Sequence, residues 1–194
     1  MLQLQSLSLD MISNIYQQHM LKDFPPDELK SLDHIVSLIQ QDIYEGYGLF
    51  EDDHLCGYAF LTHVPNGKML LLDYLAVCQD QRNRQYGSYF LQHLKAHFAN
   101  YDGILIEIES LDSASDADQL ALRTRRLNFY IRNGAVLTDV ITNCFGVEFS
   151  ILYLGQPMPT NTNFIAHHLD TIYATIFPSV DYQTHVHFIA PTHF

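Results

Sequence analysis

Residues 75–91 read Leu75-Ala76-Val77-Cys78-Gln79-Asp80-Gln81-Arg82-Asn83-Arg84-Gln85-Tyr86-Gly87-Ser88-Tyr89-Phe90-Leu91. The stretch begins as the end of an apolar run from residue 69 to residue 77, long enough for one strand and without the alternation of a half-solvated one. That places it centrally in a sheet. A short polar segment with two arginines follows, and then Tyr86, Phe90, Leu91, Leu94 and Phe98 recur at helical spacing. A buried strand thus feeds a basic turn that opens a helix. The first amides of a helix lack intrahelical partners and carry partial positive charge, so such a turn suits an anion, a pyrophosphate in particular. Arg82 and Arg84 add charge, and Gly87 lets a ligand approach the backbone.

Upstream, the spacing predicts a short strand over 2–5, a helix over 9–21 broken by Phe24-Pro25-Pro26, and a second helix over 28–44. A hairpin is expected from 47–51 and 54–64, turning at Asp52-Asp53. Pro65-Asn66-Gly67-Lys68 reads as a turn centred on Asn-Gly. Downstream come a strand over 103–109, a polar loop over 110–118, a helix over 120–132 ending at Asn133-Gly134, and strands over 136–138 and 146–154. The order predicts an α/β (α+β) arrangement around a mixed sheet.

The bulk numbers limit the function. At 194 residues, with 47% hydrophobic and 16% charged residues, the chain can bury a real core. A net charge of −12 argues against a nucleic-acid partner and is compatible with a cationic acceptor. No apolar run spans a membrane and no signal-peptide pattern opens the chain, so a cytoplasmic location and no membrane partner are expected. Cys56, Cys78 and Cys144 lack disulfide or metal spacing. His185 and His187, with His167-His168 nearby, have no fixed third ligand, so no metal is expected.

The 75–91 segment resembles the acetyl-CoA-binding motif of the GNAT superfamily of N-acetyltransferases: Val77, Arg82, Gly87 and Leu91 fall in the family's register without a gap. Gln79 stands where the family commonly has Pro, and Asn83 and Gln85 stand where it has Gly. Arg126-Leu127-Asn128-Phe129-Tyr130-Ile131-Arg132-Asn133-Gly134 resembles the family's later helix. The resemblance covers about residues 1–154. It implies a mostly antiparallel central sheet flanked by helices, with 155–194 as a C-terminal extension.

It also implies acetyl-CoA as cosubstrate, held by Leu75, Ala76, Val77, Arg82, Asn83, Arg84, Gln85, Tyr86, Gly87 and Ser88. The implied reaction is direct attack of a primary amine, on a small molecule or a peptide, upon the thioester. A bulky residue at Gly87 is expected to weaken cofactor binding with the fold intact. Tyr130 is the implied proton donor to the CoA sulfur, or else a core aromatic beside Phe129. Glu107, in an otherwise apolar strand, is the candidate base, because burial raises a carboxyl pKa. Asp73 is its rival, or a structural carboxylate. Arg123, Arg125 and Arg126 read either as CoA contacts or as an ion-paired face. The substitutions at 83 and 85 keep open a second reading, a CoA- or acyl-binding sensor with little turnover.

The extension predicts a helix over 165–176 and a strand over 182–189. Its apolar residues Phe164, Ile165, Leu169, Ile172, Tyr173, Ile176 and Phe177 need cover, from the same chain or from a second copy, which points weakly to a homodimer.

Overall fold

The computed structural model describes residues 1–26, 28–155, 157, 159 and 161–189. Gln156, Met158, Thr160 and 190–194, part of the expected extension, lie outside the described residues.

Eight strands form one sheet in the order β1-β2-β3-β4-β5-β7-β6-β8. They are β1 (Leu2–Ser6), β2 (Tyr44–Glu51), β3 (His54–His63), β4 (Met69–Val77), β5 (Gly103–Glu109), β6 (Val136–Cys144), β7 (Val147–Leu154) and β8 (Val186–Ile189). Every pairing is antiparallel except β4 with β5. The helices are α1 (Leu9–Ile15), α2 (Leu21–Asp23), α3 (Leu32–Gln40), α4 (Tyr86–His97), α5 (Ala117–Arg132), α6 (Thr162–Ile176) and α7 (Ser179–His185), with a π-helical turn, Tyr16–Met20, joining α1 to α2. Among the described residues, no helix is long and apolar enough to cross a membrane.

One face of the sheet is covered by α4 and α5: Leu70, Leu72, Ile104, Ile106 and Ile108 pack with Phe90, Leu91, Leu94 and Tyr130. The other face is covered in two halves. The N-terminal helices lie over Tyr44, Tyr58, Phe60 and Tyr74. Helix α6 lies over Met69, Leu71, Leu105, Ile151 and Tyr153. Fully burying one such aliphatic or aromatic side chain is worth about 1.5–3 kcal/mol, so each half is a substantial contact. The seam between the halves runs along the middle strands.

Four local expectations are corrected. The helix expected over 28–44 spans only Leu32–Gln40. Ser31 caps it, accepting a hydrogen bond from the His34 amide at 3.2 Å, and Tyr44 already belongs to β2, because its ring packs in the sheet core rather than on a helix face. The 65–68 turn centres on Pro65-Asn66, not Asn66-Gly67. The Gly67 amide donates to the Val64 carbonyl at 2.7 Å, and Asn66 takes the positive φ of 63° that the third position of a type II turn requires. Strand β6 is three times as long as the expected 136–138, because its second half, Ile141–Cys144, is held between β7 and β8. The strand expected over 182–189 is a helix up to His185 and a strand only after it. Consequently His185 stacks on Phe145, 4.9 Å between ring centroids, and does not share a strand face with His187.

The apolar residues of the extension find their cover within the chain. Ile165, Leu169, Ile172, Tyr173 and Ile176 are all buried against the sheet. The apolar surface that pointed to a second copy is therefore not left open.

Candidate functional site

Strands β4 and β5 are hydrogen-bonded only from Met69↔Gly103 to Leu72↔Ile106. Beyond that point β4 continues along β3 as far as Val77, and β5 continues along β7 as far as Glu109. The facing edges of residues 74–77 and 107–109 therefore have no ladder partner between them, and the sheet opens into a wedge. Unpaired backbone donors and acceptors need a partner, so the wedge suits an extended ligand that pairs with a strand edge. Leu75, Ala76 and Val77 lie on it.

A bulge accompanies the parting. Phe60 pairs with Tyr74 and Leu61 with Leu72, so Asp73 is an extra residue in β4. An extra residue shifts the side-chain alternation by one. Met69 and Leu71 face α6, whereas Tyr74 and Ala76 face the N-terminal helices on that same side. Asp73 and Tyr74 thus both present polar groups to the seam.

The wedge leads to the turn that opens α4. A short 3-10 turn, Gln79–Gln81, precedes it. Asn83 has φ of 66° and Gln85 has φ of 63°, so both occupy the left-handed region that glycine adopts freely. These are the two positions at which the sequence departs from the family's glycines, and the backbone there keeps a glycine-like path. No side chain caps the N-terminus of α4, so the amides of its first turn, Tyr86, Gly87 and Ser88, remain free for an anion. Arg84 donates to Gln81 Oε1 at 3.2 Å, and Arg82 is ion-paired at 3.0 Å with Asp23, which also accepts from the Tyr58 hydroxyl. Arg82 is therefore tethered to the end of α2 rather than loose.

The expectation for Gly87 needs amending. A Cβ there would stand 3.1 Å from Phe129 Cζ and 3.6 Å from Val77 Cγ2. A bulky residue would press α4 away from α5 as well as obstruct a ligand. Gln85 gives a cleaner test. A non-glycine residue in the left-handed region costs roughly 1–2 kcal/mol, partly offset by the greater freedom of glycine in the unfolded chain. Gln85→Gly is expected to raise stability to urea by about 0.5–1 kcal/mol and to keep acetyl-CoA affinity in calorimetry. Lost affinity would show instead that the Gln85 side chain contacts the ligand.

The seam carries a buried ionic cluster. Lys30, in the loop between α2 and α3, donates to both carboxylate oxygens of Asp73, at 2.9 and 2.8 Å, and Tyr44 donates to the same carboxylate. The Tyr74 hydroxyl accepts from the Lys30 amide at 2.9 Å and donates to the Glu28 carbonyl at 2.8 Å, fixing this loop on β4. Burial works against the ammonium, but the nearby Asp73 carboxylate outweighs it and holds the Lys30 pKa above its ordinary value. Tyr44 is pushed well up by burial and by Asp73.

Glu107 lies beyond the parting point, on the α6 side of β5. Burial pushes its pKa up to about 7, with Asp73 also raising it and a hydrogen bond from Tyr173 and the charge of Lys30 opposing. Tyr173, on α6, donates to Glu107 Oε1. Thr142, wholly buried on β6, lies 3.3 Å from the Tyr173 hydroxyl.

Tyr130 lies on the opposite face of the sheet. It is buried among the side chains under α4 and α5, 5.1 Å from the ring of Phe129. Burial pushes its phenol up to about 12. Among the described residues its hydroxyl has no hydrogen-bond partner, yet it is not one of the sealed unpartnered atoms; Thr62 Oγ1 alone has that character. The hydroxyl is thus open to an incoming group.

The structure brings Asp73 and Glu107 into one cluster, sets Tyr130 on the other face, and gives Arg123 and Arg126 of α5 a structural task. Arg123 is buried and donates to the Ser110 carbonyl at 2.6 Å and to Glu109 at 3.2 Å, and Arg126 pairs with Glu109 at 2.9 Å. Glu109 is held by these two. Lys30, Tyr44 and Tyr173 were not legible as site residues. Among the described residues no group of His, Cys, Asp and Glu could hold a metal.

The model of the acetyltransferase (GNAT) family matches residues 9–129, more than half of the chain. No relative is found among curated protein sequences. Among solved structures, a GNAT-family protein from Bacteroides thetaiotaomicron superposes with a TM-score of 0.70 at 20% identity, covering 88% of this chain and 97% of its own. The ribosomal-protein-S18-alanine N-acetyltransferase from Escherichia coli gives 0.58 at 20% identity, covering 83% and 97%. Spermidine N-acetyltransferase from Vibrio cholerae, solved with CoA and spermine, gives 0.58 at 12% identity, covering 79% and 94%. Match and geometry agree, the wedge lying beside an uncapped helix start that keeps glycine-like torsions at Asn83 and Gln85: the chain belongs to the GNAT family of acetyltransferases.

Proposed function

We propose that the chain transfers the acetyl group of acetyl-CoA to a primary amine. The observation that carries this reading is the parting of β4 from β5 after Leu72, next to the free amides of α4. A ligand with a pyrophosphate at one end and an amide-bearing arm at the other fits the two features together: the anion at residues 82–88, the arm along the edge of Leu75–Val77.

The chemistry needs few groups. An ammonium acceptor gives up a proton, and the neutral amine attacks the thioester carbonyl. The C–S bond then breaks, the departing thiolate takes a proton from the acid, and the new amide nitrogen gives up its second proton, which returns to the acid by way of solvent. Glu107 is the base in this reading. A carboxyl with a pKa of about 7 is half ionised at neutral pH and returns its proton readily. Tyr130 is the acid. Its phenol stays protonated at neutral pH, and its hydroxyl is spoken for by no other described group. Asp73, doubly bonded by Lys30 and bonded again by Tyr44, has its oxygens occupied and serves to hold the loop.

Calorimetry with acetyl-CoA, followed by a thiol-release assay over an amine panel, tests the proposal. Spermidine and an alanine-headed peptide belong in the panel because two structural neighbours are named for them. Binding without thiol release from any amine would favour the acyl-binding sensor. Tyr130→Phe then isolates the phenol: turnover is expected to fall by about a hundredfold, the low end for a general acid, because a thiolate leaves tolerably without help. Acetyl-CoA affinity should stay near wild type. Stability should change by less than about 1 kcal/mol, since no described hydrogen bond is lost. A wild-type rate with chemistry limiting would return Tyr130 to the role of a packed aromatic.

A further inference from the structure

The C-terminal helix α6 does more than cover the sheet. We infer that Tyr173, delivered by α6, is a positioning residue for Glu107: its hydroxyl fixes one carboxylate oxygen and leaves the other turned to the acceptor. This rests on the reading of Glu107 as the base.

Three observations support it. First, the hydroxyl of Tyr173 donates to Oε1 of Glu107, and among the described residues Oε2 takes no hydrogen bond. Oε2 is nevertheless not sealed, since Thr62 Oγ1 is the one sealed and unpartnered side-chain polar atom described. The carboxylate is thus held on one side and free on the other, as a base that must collect a proton from a bound amine requires. Second, Tyr173 has a single proton, and it goes to Glu107. The contact of 3.3 Å with Thr142 must then run the other way, Thr142 donating to the phenol oxygen. A donor behind the phenol polarises it and fixes its direction. Thr142 is wholly buried and Tyr173 nearly so, so water does not compete for either hydroxyl. Third, the placement is specific to the seam. Tyr173 is one turn before Phe177 on a helix whose neighbours Leu169, Ile172 and Ile176 are all aliphatic and buried. A phenylalanine would serve packing equally well, and the hydroxyl is spent on Glu107.

The groups facing Glu107 from the surrounding elements are Asp73 of β4, Lys30 of the α2–α3 loop, Cys144 of β6 and Tyr173 of α6. Asp73 disfavours the ionised carboxylate, whereas Lys30 and Tyr173 favour it. Removing the phenol hydroxyl therefore leaves the carboxylate harder to ionise, and the midpoint of Glu107 moves to higher pH.

The experiment is a titration of the Glu107 side-chain carboxyl by carbon-13 NMR in the full chain, wild type against Tyr173→Phe, with Glu107→Gln identifying the resonance. The expected result is an upward shift of about one pH unit, the size of losing one hydrogen bond to a charged group. Thr142→Val, which removes only the relay hydroxyl, should move it in the same direction by less. An unchanged midpoint in a folded Tyr173→Phe chain overturns the proposal and leaves Tyr173 a packing residue. The pH profile of kcat/KM, with whichever of spermidine or the alanine-headed peptide turns over, gives the second readout. Its acidic limb should move up together with the NMR midpoint, and the plateau at high pH should fall by about tenfold, because the ionised carboxylate is no longer held in place. An NMR shift without a matching shift of the limb, together with a Glu107→Gln variant that keeps the limb, means that Glu107 is not the base. That outcome removes the parent reading, and it differs from failure of the Tyr173 contact alone.

Discussion

Glu107→Gln is expected to lose activity and gain stability at once. Turnover should fall by about a hundred- to ten-thousandfold, the usual worth of a general base, with acetyl-CoA affinity near wild type. The stability effect follows from the same burial. The carboxyl moves from an ordinary 4.5 to about 7 on folding. Between those values the folded chain keeps a proton that the unfolded chain has released. Stability conferred by the neutral carboxyl is therefore full below about 4.5 and is lost as pH rises through 7. A shift of that size corresponds to roughly 3 kcal/mol as an upper figure, reduced to the extent that water reaches Oε2. Glutamine does not ionise, and its carbonyl can still accept from Tyr173. Urea unfolding at pH 5 and pH 8 should show the wild type losing stability between the two while the variant stays level. Parallel profiles would mean that Glu107 ionises as an exposed carboxylate does, which would disqualify it as a tuned base.

Lys30→Met is expected to cost about 3–5 kcal/mol, because it strands the Asp73 carboxylate without its cation in a place where both side chains are mostly shielded, at 16% and 12% exposure. The methionine keeps the aliphatic length of lysine, so the loss reads the charge rather than the packing. Lys30→Met with Asp73→Asn should recover most of the stability, since replacing both members of a buried pair costs far less than removing one. The double variant also sorts the two carboxylates. In the reading above Asp73 holds the α2–α3 loop and Glu107 takes the proton, so the double variant should retain turnover within about tenfold of wild type. A stable double variant without turnover would make Asp73 the base.

Much of this arrangement was legible where one physical cause dominates. The almost wholly apolar run from Met69 to Val77 and the mostly apolar run from Gly103 to Glu109 matched observed strands because short apolar runs bounded by turn signals suit strands buried on both faces. The turn at Asp52-Asp53 was legible because few residues accept its positive torsions, φ 49° and 67°. The basic turn that opens α4 was legible in Arg82, Gly87 and the onset of helical spacing, although Asn83 and Gln85 disguised the backbone path that glycine would have advertised. The seam was not legible. Lys30 follows a proline-rich stretch and reads as the start of a helix. Tyr173 sits in an aliphatic stripe and reads as core, which it also is. The bulge at Asp73 leaves no mark in an apolar run, since alternation is invisible when both faces are buried. Each of these depends on what comes from elsewhere in the chain: a loop 43 residues away for Asp73 and a helix 66 residues away for Glu107.

The position of α6 in the chain ties competence to the progress of synthesis. The ribosome makes all of β1 to β7 before residues 162–176. Until then the strip formed by Met69, Leu71, Leu105, Ile151 and Tyr153 lacks its cover, and Glu107 lacks its bond from Tyr173. The nascent chain at that stage already has the turn that opens α4, which holds the anion in the proposed reading. In that reading Glu107 becomes the poised base only when α6 settles on the sheet and Tyr173 reaches it. Fragments released before residue 176 would carry a bare apolar face and lack the Tyr173 contact to Glu107, so one late docking event supplies both the cover of the sheet and, in the proposed reading, the setting of the base.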